Sequence, residues 1–315
     1  MNKKRYIIDA HCDTLIMLSN GNSIREDSNA INLSVDRLKR GNVGLQCFAA
    51  FVSVKLIDVK PMVRAQTLID QYEKLLLDEA FMRVSAYDDI QKAIDSDKIG
   101  AMLTLEGGDV LEGDINNLYK LYDKGARMLT LTWSNKNELA DGIAEEDGTG
   151  LTAFGRQVVS EMERLGMVVD VSHLSNKGFW DVMEIAKKPI VASHSNALAL
   201  CSHPRNLSDD QLKALKKNGG VTGINFCASF LENNSNATLD DIVRHIEYIN
   251  GLIGEGHVGF GSDYDGVDNN LPKGGENPSC FDAIAERLLK LNYSEKSVSD
   301  ICHGNFLRVF KEVLK

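Results

Sequence analysis

Five residues of this chain offer nitrogen or oxygen donors at the ends of short apolar runs: His11, Asp13, Glu106, His173 and His194. His11-Cys12-Asp13 sets an imidazole two residues from a carboxylate. Side chains alternate along an extended strand, so His11 and Asp13 share a face and can reach one cation, while Cys12 points away to pack beneath a helix. Glu106 closes LTLE and precedes Gly107 and Gly108, whose conformational freedom lets the chain turn and leave the carboxylate at a rim. His173 ends VVDVSH and His194 ends VASH, so the two share a Ser-His finish. Taken singly, each is ordinary: a polar loop entry, a solvated glutamate, a hydrogen-bonded histidine. Together they make two N/O-rich sites of the kind zinc favours, with His11 and Asp13 on one ion, His173 and His194 on the other, and Glu106 bridging through its two oxygens. Manganese, cobalt or iron would accept the same ligands.

Donors that lie so far apart in sequence need a scaffold that collects them. Eight apolar, β-branched runs recur, starting at Tyr6, Gly44, Ile99, Ala126, Gly166, Pro189, Gly220 and His257. Between them stand helical segments such as MVRAQTLIDQYEKLLLD, TAFGRQVVSEMERLG, SDDQLKALKKN and TLDDIVRHIEYINGLIG, several opening with a Ser, Thr or Asp cap. This alternation predicts a parallel sheet covered by helices, and the count of eight favours a closed (β/α)8 TIM-type barrel. An open doubly wound sheet is the alternative, but it would show a glycine fingerprint after the first strand, where this chain has HCDTL. In such barrels the chemistry sits where strands end, and the first, third, fifth, sixth and eighth runs end near Asp13, Glu106, His173, His194 and Asp263. Asp170, three residues before His173, is placed either to orient a ligand or to cap the barrel floor. His203, His245, His257 and His303 read as structural or surface residues.

The 315 residues contain no Pro/Gly/Ser linker and no low-complexity stretch, so one domain over residues 1–315 is expected. A net charge of -10 with dispersed lysines and arginines argues against a nucleic-acid or anionic-membrane partner. The N-terminus MNKKRYIIDAHCD has a basic start but too short an apolar core for a signal peptide. No run reaches membrane-spanning length, and the C-terminal FLRVFKEVLK reads as an amphipathic helix and not as a lipid-anchor signal. Six scattered cysteines without a C-x-x-C pair fit reduced, buried thiols, and a cytoplasmic location is expected.

The segments DAHCDT, TLEGG, VDVSH, SHSNALALCSHPRN, GINF, GFGSDYDG and GNFLRVF resemble, in order and spacing from residue 9 to about residue 310, the membrane (renal) dipeptidase family of amidohydrolase-like metal-dependent hydrolases. The resemblance implies a barrel with two zinc ions per chain, Glu106 shared between them, and a bridging water acidified to hydroxide that attacks a dipeptide's carbonyl. It implies that Asp263 in GSDYDG moves the proton to the leaving amine, although the pattern would also put Asp265 on that side if the strand persisted. Arg205, eleven residues after His194, matches the family's clamp for the substrate's terminal carboxylate, a role suited to a planar guanidinium fork. Tolerance of a C-terminal D-residue and homodimerisation are implied by the same resemblance.

At one position the chain departs from the pattern. Renal-type members carry L-T-H after the fourth strand, where a histidine helps bind the scissile carbonyl, whereas this chain has LTWSNKNELADG with Trp133 there. Indole offers one N–H and no acceptor, so that role is lost or passes to Asn135 or Asn137. The alternative function is another binuclear amidohydrolase-type reaction, on a lactone or cyclic amide. A non-catalytic barrel is the third reading, disfavoured by retention of all five ligands.

Overall fold

The computed structural model describes residues 5–145 and 148–315; residues 1–4, most of the basic N-terminal start, and 146–147 lie outside the described residues. The apolar runs form β1 (Ile7–Asp9), β2 (Val43–Phe51), β3 (Phe81–Arg83), β4 (Ile99–Glu106), β5 (Ala126–Thr130), β6 (Val168–Asp170), β7 (Val191–Ala192), β8 (Val221–Ile224) and β9 (Val258–Phe260). All pairings between these strands are parallel. Neighbours run β2-β1-β9-β8-β7-β6-β5-β4, and β2 pairs β4 from Leu45–Gly100 to Phe51–Glu106, closing a ring of eight. This is a (β/α)8 barrel. The short β3, which the strand pattern does not anticipate, pairs β4 only at Ile99–Ala101, below the stretch from Leu103 onward that β5 occupies.

Side-chain alternation sorts the core into two layers. Ile8, Leu45, Cys47, Met102, Met128, Val168, Val191 and Val221 fill the barrel and continue into Phe306, Val309 and Phe310 of the C-terminal helix Asn305–Val313. Cys12 belongs to the outer layer between strands and helices, as expected from its place between His11 and Asp13. The anticipated helices form with their caps. Thr152 Oγ1 accepts from Gly155 N, Ser208 Oγ from Gln211 N and Thr238 Oγ1 from Asp240 N, each worth about 1 kcal/mol. No helix among the described residues is long and apolar enough to cross a membrane. All six cysteines are free and buried.

Candidate metal centre

The C-terminal strand ends converge, and with them the five donors. His11 Nε2 lies 3.4 Å from Glu106 Oε2, 3.5 Å from Asp13 Oδ2 and 3.7 Å from Asp263 Oδ1. Glu106 Oε1 faces the other way, 3.0 Å from His173 Nε2 and 3.7 Å from His194 Nε2. The two Glu106 oxygens thus address different histidines, Oε2 one and Oε1 two. The His11 and His194 rings stack with centroids 3.9 Å apart. Among the described residues, three overlapping groups have the spacing to hold a metal ion: His11, Asp13 and Glu106; Glu106, His173 and His194; and His11, His194 and Asp263.

Local backbone chemistry puts these side chains there. Gly107 follows Glu106 at φ +99°, and a Cβ on it would sit 1.9 Å from Val52 O, so only glycine lets β4 turn beneath the carboxylate. Asp13 stands at the N-cap of the helix Thr14–Ser19 but makes no capping bond, leaving its carboxylate for the cluster. Gly266 passes so close that a Cβ would meet Asp13 Oδ2 at 2.2 Å and Asp263 Oδ1 at 2.5 Å. His173 and Asp263 both adopt positive φ (66° and 64°), which is costly for residues with a Cβ.

Neighbours fix the rings. Asp170 Oδ1 accepts from Ser193 N (2.8 Å) and its Oδ2 from Ser193 Oγ (2.6 Å) and Thr130 Oγ1 (2.5 Å). Ser193 Oγ is 2.6 Å from His194 Nδ1. With the hydroxyl proton given to Asp170, Ser193 Oγ accepts from His194 Nδ1–H, and the lone pair of His194 falls on Nε2, toward Glu106. Asp170 thus steadies the His194 ring through Ser193. Ser134 Oγ meets His173 Nδ1 at 3.1 Å and steadies that ring. Sequence reasoning missed Ser134 and Ser193; the only trace of Ser193 was the Ser-His finish of its strand.

The residues present fit a pair of cations. His11 Nε2, His194 Nε2 and Asp13 Oδ1 are buried without a hydrogen-bond partner. Each such group costs about 1–3 kcal/mol unless something satisfies it, and the two imidazole nitrogens face the cluster. The protonation pattern reflects the same crowding. Burial works to raise the Glu106 pKa, but the charge of His11 and the close ring nitrogens of His11 and His173 overcome it and hold the carboxyl below its usual range. Burial and the Glu106 charge push Asp13 up to about 7. Burial opposes protonation of His11, yet Glu106 and Asp13 raise it well above the normal imidazole value. Burial, then Arg205, lowers His173; burial, then His11 and Arg205, lowers His194. Three acids and three imidazoles in one buried pocket demand either protons or cations.

Asp263 Oδ2 accepts from Asn225 Nδ2 at 2.8 Å, which leaves Oδ1 facing His11. Asn225, at the end of β8, is a further polar strand-end residue that sequence reasoning left unassigned. Asp265 turns away: it accepts from Thr14 Oγ1 and Asn32 N, both at 2.6 Å, and anchors the loop after β1. Arg205 is 6% exposed, with Nη1 3.4 Å from Ser195 Oγ, Nη2 3.2 Å from His194 O, and Nε buried without a partner. Trp133 packs edge-on to Phe51 at 5.5 Å and lies 6.1 Å from His173. Asn135 is half-buried in the same loop. Asn137 is not brought to the cluster. Its Nδ2 donates to Leu131 O and Asp109 Oδ2 and its Oδ1 accepts from Leu139 N and Ala140 N, so its amide is consumed in folding the loop.

Of the other histidines, His245 is buried, with Nδ1 accepting from Ala197 N (3.1 Å) and Nε2 meeting Leu231 O (3.0 Å). His203 Nδ1 accepts from Arg205 N, His257 Nδ1 meets Gly220 O, and His303 stacks on Tyr6.

The chain belongs to the family described as membrane dipeptidase (Peptidase family M19), whose model matches residues 1–315. It is 31% identical over 321 residues to Dipeptidase 3 of Macaca fascicularis, covering 98% of this chain and 65% of that protein. The chain therefore spans just under two thirds of the length of the curated relatives it matches. Among solved structures it is similar to a metallo peptidase from Rhodobacter sphaeroides liganded with a phosphinate mimic of the dipeptide L-Ala-D-Ala, at 25% identity and a TM-score of 0.89, covering 98% of this chain and 99% of that one. It is also similar to dipeptidase AC, a metallo peptidase of family M19, at 26% identity and a TM-score of 0.90, covering 98% of both chains.

Proposed function

We propose that this chain is a metallo-dipeptidase that holds two zinc ions through His11, Asp13, Glu106, His173 and His194 and cleaves dipeptides, including those with a C-terminal D-residue. The observation that carries this reading is the division of Glu106, one oxygen toward His11 and the other toward His173 and His194, with unpartnered buried donors on both sides. The ligand of the Rhodobacter sphaeroides neighbour supports the substrate class. When bound, paired divalent cations supply Lewis acidity toward a carbonyl oxygen and lower the pKa of water.

Asp263, steadied by Asn225, presents Oδ1 to take the proton of the attacking water and deliver it to the departing amine nitrogen. Arg205, oriented by Ser195 and His194 O, offers its fork to the terminal carboxylate, and a longer peptide would set a neutral amide there. Trp133 cannot accept a hydrogen bond where an imidazole would, and Asn135 remains the nearby amide free to contact substrate, whereas Asn137 is engaged elsewhere. The buried free thiols support a reducing compartment such as the cytoplasm. On this reading residues 1–315 act as one catalytic domain, and the homodimer implied by the family resemblance is read by light scattering.

The deciding experiment combines metal analysis with a panel of L,L and L,D dipeptides, tripeptides and lactones. Two zinc ions per chain and cleavage confined to dipeptides are expected. Inert dipeptides with cleaved lactones would transfer the site to the alternative hydrolase class, and less than one metal per chain would remove the catalytic reading.

A further inference from the structure

Beside the cluster lies a cavity of about 280 Å³ whose walls include both His173 and Arg205. It opens between the loops that follow β6 and β7. Leu174, Leu198 and Leu207 contribute apolar surface, Gln211 stands among its polar lining residues, and no Asp or Glu among the described residues lines it. Among the described residues Arg205 is the only permanently charged group on its wall, and the Arg205 Nε–H there is buried and unpartnered. The cavity thus joins an anion-seeking group to an uncharged recess.

We propose that this cavity receives the side chain of the substrate's C-terminal residue and selects uncharged, apolar ones. The inference rests on the dipeptidase reading, since it takes Arg205 as the seat of the terminal carboxylate. A carboxylate on that guanidinium brings the adjoining α-carbon to the cavity's edge, and the side chain on that carbon then lies either against the crowded donors or in the recess. A leucine side chain there sheds water against Leu174, Leu198 and Leu207. A lysine side chain would bring its ammonium near Arg205 with no carboxylate among the described lining residues to meet it.

The test compares Ala-Leu, Ala-Gly and Ala-Lys on the zinc-loaded protein, alongside the melting temperature with free leucine, glycine or lysine. Expected are a kcat/KM for Ala-Leu at least about tenfold above that for Ala-Gly, and Ala-Lys below both. Leu198 is 36% exposed at the cavity mouth, so L198W can fill the opening without crowding the core. It should lower kcat/KM for Ala-Leu at least about fivefold more than for Ala-Gly, chiefly through KM. A wild-type leucine-to-glycine ratio near one, or an unchanged ratio in a folded L198W, overturns the proposal. If no dipeptide is cleaved, the dipeptidase reading falls by itself. The cavity is then judged by whether leucine raises the melting temperature more than glycine or lysine and L198W erases that difference; equal shifts overturn it.

Discussion

Two buried aspartates on opposite sides of the barrel grip the neighbouring strand in the same way. Asp170 takes the amide and hydroxyl of Ser193 at 2.8 and 2.6 Å, and Asp9 takes the amide and hydroxyl of Ser262 at 2.8 and 2.6 Å. In each case the residue after the serine faces the cluster: His194 in one, Asp263 in the other. The difference lies in what else the serine touches. Ser193 Oγ reaches a ring nitrogen of His194, whereas Ser262 Oγ reaches only backbone, His11 O at 3.4 Å and Tyr264 N at 3.4 Å. One bracket sets a tautomer; the other sets the course of two strands. The same local bond pattern thus orients an imidazole at β7 and sets backbone geometry at β9.

The comparison breaks most sharply one residue beyond the second bracket. Asp263→Asn is expected to cut turnover by about 10²–10⁴-fold while bound zinc stays the same, measured by steady-state kinetics with metal analysis. Zinc lost together with activity would make Asp263 a ligand and put both brackets in one role.

Acid sharpens the contrast next. Burial drives the His245 pKa from 6.5 to about 4, and its ring holds Ala197 N just past the first bracket. An imidazole depressed in the fold binds fewer protons than the unfolded chain, so stability is unaffected above about pH 6.5 and is lost as pH falls toward about 4, by on the order of 3 kcal/mol. Urea midpoints across that window should fall, and His245→Asn should flatten the slope. An equal slope in the variant would assign the acid sensitivity elsewhere.

Ser193→Ala should weaken zinc binding by about 10–100-fold, whereas Ser262→Ala should change it little, as read by competition with a chelator. Equal losses would erase the distinction between the brackets. The smallest effect is the structural one: Ser262→Ala costs about 1 kcal/mol in denaturant unfolding, from one buried hydrogen bond to a carboxylate.

The strands of the ring were legible because each apolar run is buried on both faces and breaks off at a polar residue, as in VVDVSH. Phe81–Arg83 escaped because three residues carry no periodicity. The donor cluster was legible because parallel strands bring their C-terminal ends together. The helpers were not: a serine before a histidine looks the same whether or not an aspartate waits on the adjacent strand, and only the pairing of β6 with β7 brings Asp170 to Ser193. Asn137 misled for the converse reason. Its amide suited a substrate, but the chain needed it to close its own loop.

The six cysteines have one more consequence. All are buried, and burial raises the pKa of every one, so none presents a thiolate at the surface. The native protein is therefore nearly silent toward maleimides. A single cysteine engineered onto the outer helices would be its one addressable handle for a spin label or a fluorophore.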